Sequence, residues 1–331
     1  MAIQTNEIAA TTVQHIIDIE TDALQKAHPI YKHIVEEGKY KASGLNIQAP
    51  IKLLKNASQG FIGLTGAVVD TTPSAQLQYL VLNWKAINYN VNFTLQDYAF
   101  NAGAEDKADF FAQKVNGAMA DYIRLQAASI VGTSTSNALA FDGLGDALGA
   151  ATGTSYGGLL DTDYASQGLA PYLPYTSSAT VVNYATVNQM ITKLKGRMQK
   201  EGNVNASMMG FWNSAVQEKF LNSAQSQQRF YESKELDSGF DGIKVNGVNF
   251  YLDENMNGSQ DGTTGDNYIY IFPKEIMKFA FVYGFGDSNK SPFDGDIQLP
   301  NQPVKSAQKY SVGNLVCVNR RLGAVCKTLV A

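Results

Sequence analysis

Three stretches of the chain place apolar residues three and four positions apart, which is the spacing of one face of an α-helix. The longest, residues 104–131, has acidic residues near its start and a broad apolar face, and Gly132 ends it. At ~1.5 Å per residue this helix would be roughly 42 Å long. Residues 184–201 and about 214–228 carry the same spacing. The pattern therefore predicts one long helix and two shorter ones, each burying one face.

The first part of the chain carries a weaker helical pattern. Residues 7–36 predict a helix with a narrow apolar stripe, which Pro29 breaks before a short second helix from Tyr31 to Glu37. Gly38 ends that second helix. Since a stripe this narrow cannot stabilise an independent unit, we expect an N-terminal arm that packs on another surface.

Residues 45–95 change to the alternation of polar and apolar residues that is typical of strands. The alternation is clearest over the nine residues from Ile87 to Leu95. The run Gln76–Leu95 has no glycine or proline, and its length at ~3.3 Å per residue is roughly 65 Å, whereas typical strands have ~5–6 residues. This pattern predicts either several strands that bend or a long two-stranded arm, with residues 60–66 as a glycine-rich turn or tip.

The last third of the chain predicts a set of short strands. Ile243–Leu252 is interrupted at Asn246-Gly247, a dipeptide that favours a two-residue hairpin turn. Further apolar runs follow at 268–272, 279–283, 310–318 and 324–330. The order of elements lacks a regular strand–helix–strand alternation, so it predicts an α+β fold.

Composition narrows the possible functions. The chain has 331 residues with 26 lysines and arginines against 30 aspartates and glutamates, so its net charge of −4 predicts no chain-wide basic surface for nucleic acid. No run of about 18 apolar residues exists and the start lacks a secretory signal, so we expect no membrane association. The 17 tyrosines and 16 phenylalanines favour a protein that contacts other proteins.

The two cysteines lie close to each other in the sequence. Cys317 and Cys326 flank the segment Arg320–Gly323. A turn centred on Arg321-Leu322 would place them opposite each other at ~4.5 Å between Cα atoms, a separation that tolerates a disulfide. A bulge at Gly323 would separate them. We expect reduced core cysteines, and whether the two pair stays open.

Residues that carry chemistry are few. The three histidines, His15, His28 and His33, do not form a metal-binding or catalytic pattern, and the chain lacks the glycine motifs of nucleotide-binding and hydrolase sites. The basic residues at 193–197 and 320–321 have no aromatic residues among them, so they predict no nucleic-acid site. We therefore predict a protein that is not an enzyme, with no catalytic, cofactor-binding or metal-ligating residues and no cofactor.

One segment imitates the start of a calcium-binding loop. Asp253–Gly258 has the D-x-N-x-N-G pattern, but Thr264 stands where a calcium loop needs a bidentate glutamate. Strands rather than helices flank the segment, which favours a long hairpin loop. A calcium-assisted binding or adhesion module remains an alternative function.

Four segments, in their order along the chain, carry a resemblance to a known family. They are the "YGGL" stretch Tyr156–Asp161, the helix Asn183–Glu201, the strand pair Phe240–Asp253 and the short strand Tyr268–Phe272. Through these segments the chain resembles the major capsid protein of tailed bacteriophages, which has the Hong Kong 97-type shell fold. The resemblance implies an N-terminal arm at 1–44, an extended β loop at 45–97 and a peripheral domain with a long spine helix at 98–140. It further implies an axial domain at 141–305 and C-terminal strands at 306–331 that return to the peripheral domain.

The same resemblance implies a structural function. Copies of the chain would form pentamers and hexamers that close into an icosahedral phage head, with the β loop lying over a neighbour. The head would enclose packaged double-stranded DNA without sequence-specific binding, and its partners would include a portal and, where used, scaffold or decoration proteins. The expected location is the virion capsid, assembled in the host cytoplasm. A cell-encoded compartment shell of the same fold is an alternative.

Overall fold

The computed structural model describes most of the elements that the sequence predicts. It covers residues 28–36, 38–52, 61, 77–94, 104–134, 137–149, 155–160, 172–177, 181–201, 207–226, 242–256, 266–283, 296–298 and 304–329. The predicted helix over 7–27, His15, the glycine-rich segment 62–66 and Thr264 lie outside the described residues.

The three predicted helices are confirmed, and their ends follow local sequence signals. Asn183 accepts a hydrogen bond from the N–H of Thr186 at 2.8 Å, and Asn213 accepts one from Val216 at 3.0 Å, so an asparagine side chain caps the N-terminus of each shorter helix. The helices are α1 Pro29–Tyr31, α2 Ala104–Val131, α3 Leu144–Ala147, α4 Tyr184–Glu201 and α5 Ser214–Ser226. Pro29 begins α1, which continues as a π-helical turn over Lys32–Glu36. None of the described helices is long and apolar enough to cross a membrane.

The strands that the structure describes form two large sheets and two separate two-stranded pairs. The strands are β1 Lys39–Lys41, β2 Ile47–Lys52, β3 Leu77–Leu82, β4 Lys85–Thr94, β5 Ser155–Tyr156, β6 Leu159–Leu160, β7 Tyr175–Ser177, β8 Met208–Trp212, β9 Gly242–Val245, β10 Val248–Leu252, β11 Asp266–Pro273, β12 Met277–Tyr283, β13 Asp296–Gln298, β14 Val304–Cys317 and β15 Ala324–Leu329. A five-stranded sheet has the order β1-β12-β14-β13, with β4 on the other side of β14, and a six-stranded sheet has the order β7-β15-β11-β8-β10-β9. The pairs β2–β3 and β5–β6 stand apart.

Two tight turns take the backbone into the left-handed region. The predicted turn at Asn246-Gly247 is confirmed, with φ of 48° and 83°, and it joins β9 to β10. In the "YGGL" stretch, Gly157 and Gly158 have φ of 56° and 80° and join β5 to β6. Positive φ at both central positions is typical of the turn type that fits hairpin twist, which explains the residues found there.

The described part of the strand-rich run, residues 77–94, is two strands that bend, which is one of the two predicted alternatives. β3 pairs with β2, whereas β4 pairs along its whole length with β14. The bend at Asn83 is held by the buried Asn314, whose side chain donates to the Asn83 carbonyl at 2.9 Å. Residues 85–94, which the resemblance places in the extended β loop, belong to the five-stranded sheet. The sequence pattern does not separate the two cases, because alternation is the same in an arm and in a sheet.

Neither of the two hairpin arrangements that the sequence leaves open around Cys317 and Cys326 is present. A 3₁₀ turn over Arg320–Leu322 carries the chain from β14 in one sheet to β15 in the other. Cys317 lies opposite Met277 and Cys326 opposite Ile269, and both thiols are free and buried. The expected reduced state is confirmed. The C-terminal segment 306–331 does not form one unit, because β15 joins the six-stranded sheet.

The core of the six-stranded sheet is aromatic. Trp212 and Phe250 stack with ring centroids 4.3 Å apart, and Phe211 stacks on Tyr251 at 5.6 Å and on Phe272 at 5.5 Å. Helices α4 and α5 add buried apolar residues, which are Val187, Met190, Ile191, Leu194, Met198, Val216 and Phe220. Helix α2 instead packs on the five-stranded sheet, where the Tyr122 hydroxyl donates to Ser311 Oγ.

Candidate functional site

The β2–β3 hairpin has two faces of opposite exposure. Along β2, Ile47, Ala49 and Ile51 are buried and alternate with exposed residues, and along β3 Leu80 and Leu82 are buried. In the antiparallel register Ile47 faces Leu82 and Ala49 faces Leu80, so the buried residues share one side. This inner face fastens the hairpin to the rest of the chain.

The opposite side of the hairpin carries large apolar side chains that are exposed. Leu77, Tyr79 and Val81 are 58%, 60% and 40% exposed, and they lie across from Lys52, Pro50 and Gln48. We call these six residues the outer hairpin face. A row of apolar residues at every second position of a strand normally marks a buried surface. Within the described chain this row is open to solvent, which is typical of a protein–protein contact surface.

A glycine of the "YGGL" stretch holds the free edge of β3. The N–H of Val81 donates to the carbonyl of Gly157 at 3.0 Å. A Cβ at Gly157 would lie 2.0 Å from Leu80 Cδ1, so a larger residue cannot approach the hairpin in this way. At the base of the hairpin the indole N–H of Trp84 donates to the carbonyl of Gly44 at 2.9 Å. Two hydrogen bonds, one from Val81 and one from Trp84, therefore position the described part of the predicted β loop.

The tyrosine of the same stretch connects the β5–β6 hairpin to β14. The Tyr156 hydroxyl accepts from the N–H of Cys317 at 3.1 Å and donates to the carbonyl of Leu315 at 3.4 Å. Burial raises the pKa of Tyr156 well above its usual range, so the hydroxyl keeps the proton that it donates. Burial likewise raises the pKa of the Cys317 thiol to about 12.

The two arginines that follow β14 are buried. Arg320 donates from Nε to the carbonyl of Ala147 at 2.6 Å, and its guanidinium lies 5.4 and 5.8 Å from the ring centroids of Tyr156 and Tyr172. This cation satisfies the end of α3 and packs between aromatic rings. No local pattern predicts this role, because an Arg-Arg pair in a turn has the pattern of an exposed charge cluster.

The neighbouring arginine makes an ion pair inside the protein. Arg321 Nη1 lies 3.6 Å from Glu201 Oε1, and Arg197 donates to the carbonyls of Leu173 and Arg321 at 2.8 and 3.2 Å. Burial lowers the pKa of Arg321, and the Glu201 carboxylate opposes that shift. Arg197, part of the cluster at 193–197, is therefore a packing residue at the junction of the two sheets.

The calcium-like segment contacts the described part of the N-terminal arm. The buried Asp253 carboxylate accepts from the N–H and side chain of Asn255, both at 3.0 Å, and lies 3.5 Å from the N–H of Ile30. Asn255 Nδ2 also lies 3.2 Å from His28 Nδ1. Burial raises the pKa of Asp253, and the nearby His28 opposes that shift. Among the described residues no group of three or more His, Cys, Asp or Glu could hold a metal ion. The rest of the segment, 257–264, lies outside them.

The third histidine is a core residue. His33 is 7% exposed, and its ring centroid lies 4.7 Å from that of Tyr251. The structure thus separates the two described histidines, placing one against Asn255 and the other among aromatic rings. Neither lies in a cluster with other metal-ligating residues in the described part of the chain.

The comparisons with known proteins rest on the fold. No family model matches the sequence, and no curated protein matches it. Solved structures do match over nearly the whole chain. The capsid of cyanophage A-1(L) is 13% identical, with a TM-score of 0.65 over 91% of this chain and 92% of that one. The capsid of a native GTA particle is 12% identical, with a TM-score of 0.60 over 92% and 91%.

A third solved structure is the holo-SrpI encapsulin complex from Synechococcus elongatus. It is 8% identical, with a TM-score of 0.57 over 87% of this chain and 84% of that one. At this identity the likeness concerns the path of the chain and not individual side chains. The matches cover 87–92% of this chain, so the likeness concerns most of the fold.

Proposed function

From the premise that the chain has the Hong Kong 97-type shell fold, we propose that it is a structural subunit that assembles into a closed protein shell. The expected α+β fold is confirmed by agreement over 91% of the chain with a phage capsid. Fold alone does not fix function. The proposal therefore also rests on a surface of this chain that a monomer leaves unfinished.

The outer hairpin face is the observation that carries the proposal. Leu77, Tyr79 and Val81 are exposed on one side of the hairpin. The buried residues on the other side pack the hairpin against the rest of the chain. An aromatic residue between two aliphatic ones, bordered by the polar residues Gln48 and Lys52, has the composition of an interface centre with its rim. A neighbouring copy in a shell would cover this face.

The finer form of the proposal is a phage head. Copies would form pentamers and hexamers that close into an icosahedral shell in the host cytoplasm and become the virion capsid. A portal and, where used, scaffold or decoration proteins would complete it. The net charge of −4 suits a container for double-stranded DNA, because a strongly basic lining would bind the genome tightly. Two of the compared structures, the cyanophage and GTA capsids, support this form.

A compartment shell encoded by a cell is the second candidate. The encapsulin match, with a TM-score of 0.57, supports it. We also propose that the role is not catalytic. In support, burial is the main cause of the shifted pKa of Tyr156, Cys317 and Arg321, and all three lie in packing contacts.

Purified protein tests the proposal directly. Size-exclusion chromatography and negative-stain microscopy should show closed particles of megadalton mass. A stable 35.9 kDa monomer at all concentrations would contradict the proposal. Particles purified from infected or expressing cells then separate the two forms, since a phage head contains nuclease-protected DNA and a compartment shell contains protein cargo.

The outer hairpin face is tested by Tyr79→Ser. Removing an interface aromatic costs about 2 kcal/mol or more at a central position, so the concentration needed for assembly should rise at least about tenfold. The matched control is Leu139→Ser, which changes another exposed apolar residue, 78% exposed, outside the hairpin. We expect light scattering to show assembly of the control at the wild-type concentration. If both variants assembled at the same concentration, the outer hairpin face would not be part of the interface.

A further inference from the structure

Most edge strands in the described chain carry features that prevent pairing with another strand. Charged residues or proline stand in four of them: β1 has Lys39 and Lys41, β2 has Pro50 and Lys52, β9 has Lys244 and β13 has Asp296. The edge of β3 is occupied, because Val81 donates to Gly157. Strand β7 has only three residues, and β5 and β6 have two each. Short length, charge, proline and cover are the devices that blunt sheet edges.

Apart from Lys85 at its first position, strand β4 lacks these devices. It is ten residues long and, among the described strands, pairs only with β14. Its register with β14 runs without a shift from Lys85 to Thr94. After Lys85 it contains no charged residue, no proline and no glycine. A long and regular edge without further charges is the geometry that accepts another strand, and among the described residues no strand pairs with β4 on this side.

The solvent face of β4 is made of asparagines. Ala86, Asn88, Asn90, Asn92 and Thr94 are exposed, whereas Val91 on the other face is buried. An asparagine amide both donates and accepts hydrogen bonds, so it can pair with an identical amide. A face of lysines or of carboxylates would repel its own copy, and this face does not.

We propose that two copies of the chain pair antiparallel through their β4 edges, about a two-fold axis that passes beside Asn90. In this register Asn90 faces Asn90, Asn88 faces Asn92 on both sides of the axis, and Ala86 faces Thr94. It is the register that matches every asparagine of the face with an asparagine. The two five-stranded sheets then continue into each other across the subunit boundary.

The symmetry of the strand favours a second copy as the occupant. A two-fold interface brings the same patch of each subunit together, so the patch must complement itself. The asparagines of β4 are symmetric about Asn90, since Asn88 and Asn92 stand two positions away on either side, and Lys85 falls beyond the paired stretch. The inference rests on the proposed shell function, because it assigns one contact between subunits of that shell.

Charge pairs across the axis give a sharp test. In the variant N88K/N92K each introduced lysine faces an introduced lysine of the other copy, and like charges directly opposite are destabilising. In N88K/N92E each introduced lysine faces an introduced glutamate. We expect the first variant to need at least a tenfold higher concentration for assembly and the second to assemble within threefold of the wild type. Circular dichroism melting of the dissociated subunits should show both folded.

A cysteine at the axis gives an independent readout. In particles of Asn90→Cys the two introduced thiols would lie directly opposite each other, where Cβ atoms are ~4.5–5.5 Å apart, and mild oxidation should give a covalent dimer on a non-reducing gel. Wild-type particles are the control, because Cys317 and Cys326 are buried. No dimer from assembled particles, or equal assembly of the two charge variants, would overturn the edge pairing and leave the shell function standing. Wild-type protein that forms no particles would overturn both.

Discussion

The six-stranded sheet and the β2–β3 hairpin use the same alternation of side chains and complete it in different ways. In the sheet, helices of the same chain supply the apolar partners, and rings such as Trp212 and Phe250 are fully buried. In the hairpin, one face is buried and the other leaves Tyr79 60% exposed. The six-stranded sheet thus buries its apolar residues within one chain, whereas the outer hairpin face stays exposed.

This difference separates what stabilises a subunit from what joins subunits. Residues of the six-stranded sheet should govern the free energy of unfolding of the isolated chain. Residues of the outer hairpin face should govern assembly with little effect on that free energy, because their side chains are already in water. The β5–β6 hairpin stands between the two, since Gly157 contacts β3 and Tyr156 contacts β14.

The largest effect on the isolated subunit is expected from Trp212→Ala. Trp212 is fully buried against Phe250 and Phe220, with ring centroids 4.3 and 5.2 Å away. Truncating such a ring costs about 3–5 kcal/mol of unfolding free energy. Urea denaturation monitored by circular dichroism measures it. In the same assay Tyr79→Ser should change the free energy of unfolding by less than about 0.5 kcal/mol, as substitutions at exposed positions do. A similar loss in both variants would contradict the separation between residues that stabilise the subunit and residues that join subunits.

A smaller effect is expected where the hairpin is fastened. Gly157→Ala forces a Cβ against Leu80 at a residue with φ of 56°, and we expect a loss of about 2–3 kcal/mol. Gly158→Ala is the matched control, because its φ of 80° is similar but no atom lies within 4 Å of the added Cβ, so a loss of about 1 kcal/mol is expected. Hydrogen exchange of the Val81 amide should speed up in Gly157→Ala. Equal exchange in both variants would mean that Gly157 does not hold β3.

The smallest effect on stability is expected from Asp253, which contacts the described part of the N-terminal arm. Burial raises the pKa of Asp253 above its usual 3.8, although His28 opposes the shift, so the folded chain binds this proton more tightly than the unfolded chain. That contribution to stability is full below pH 3.8 and is lost as pH rises through the raised pKa. Asp253→Asn should therefore flatten the fall of stability over this range.

Denaturation curves at several pH values measure this slope. The control is Asp121→Asn, which makes the same chemical change at a side chain that is 78% exposed rather than buried. Asp146, whose pKa burial also raises, contributes equally to all three proteins. If stability changed with pH in Asp253→Asn as it does in the wild type, the Asp253 carboxylate would not be buried against Ile30 and Asn255.

Local sequence signals predicted the elements well and the contacts between them poorly. Helix α2 follows from its own periodicity and from Gly132, and the turn at Asn246-Gly247 follows from its own backbone preference. Pairing is different, because alternation says which face of a strand is buried and nothing about which strand lies beside it. The segment between Cys317 and Cys326, which could form a hairpin turn by its sequence, instead connects one sheet to the other.

By itself, the sequence determined the helices, the tight turns, the alternating strands and, through the order of its segments, the type of fold. These depend on residues within a few positions of each other, or on a pattern along the whole chain. Only the tertiary structure decided that β4 pairs with β14, that Arg320 and Arg321 are buried, and that Gly157 holds the hairpin. Those outcomes depend on residues far apart in the chain, where the partner sets whether a charge is buried or an edge is covered.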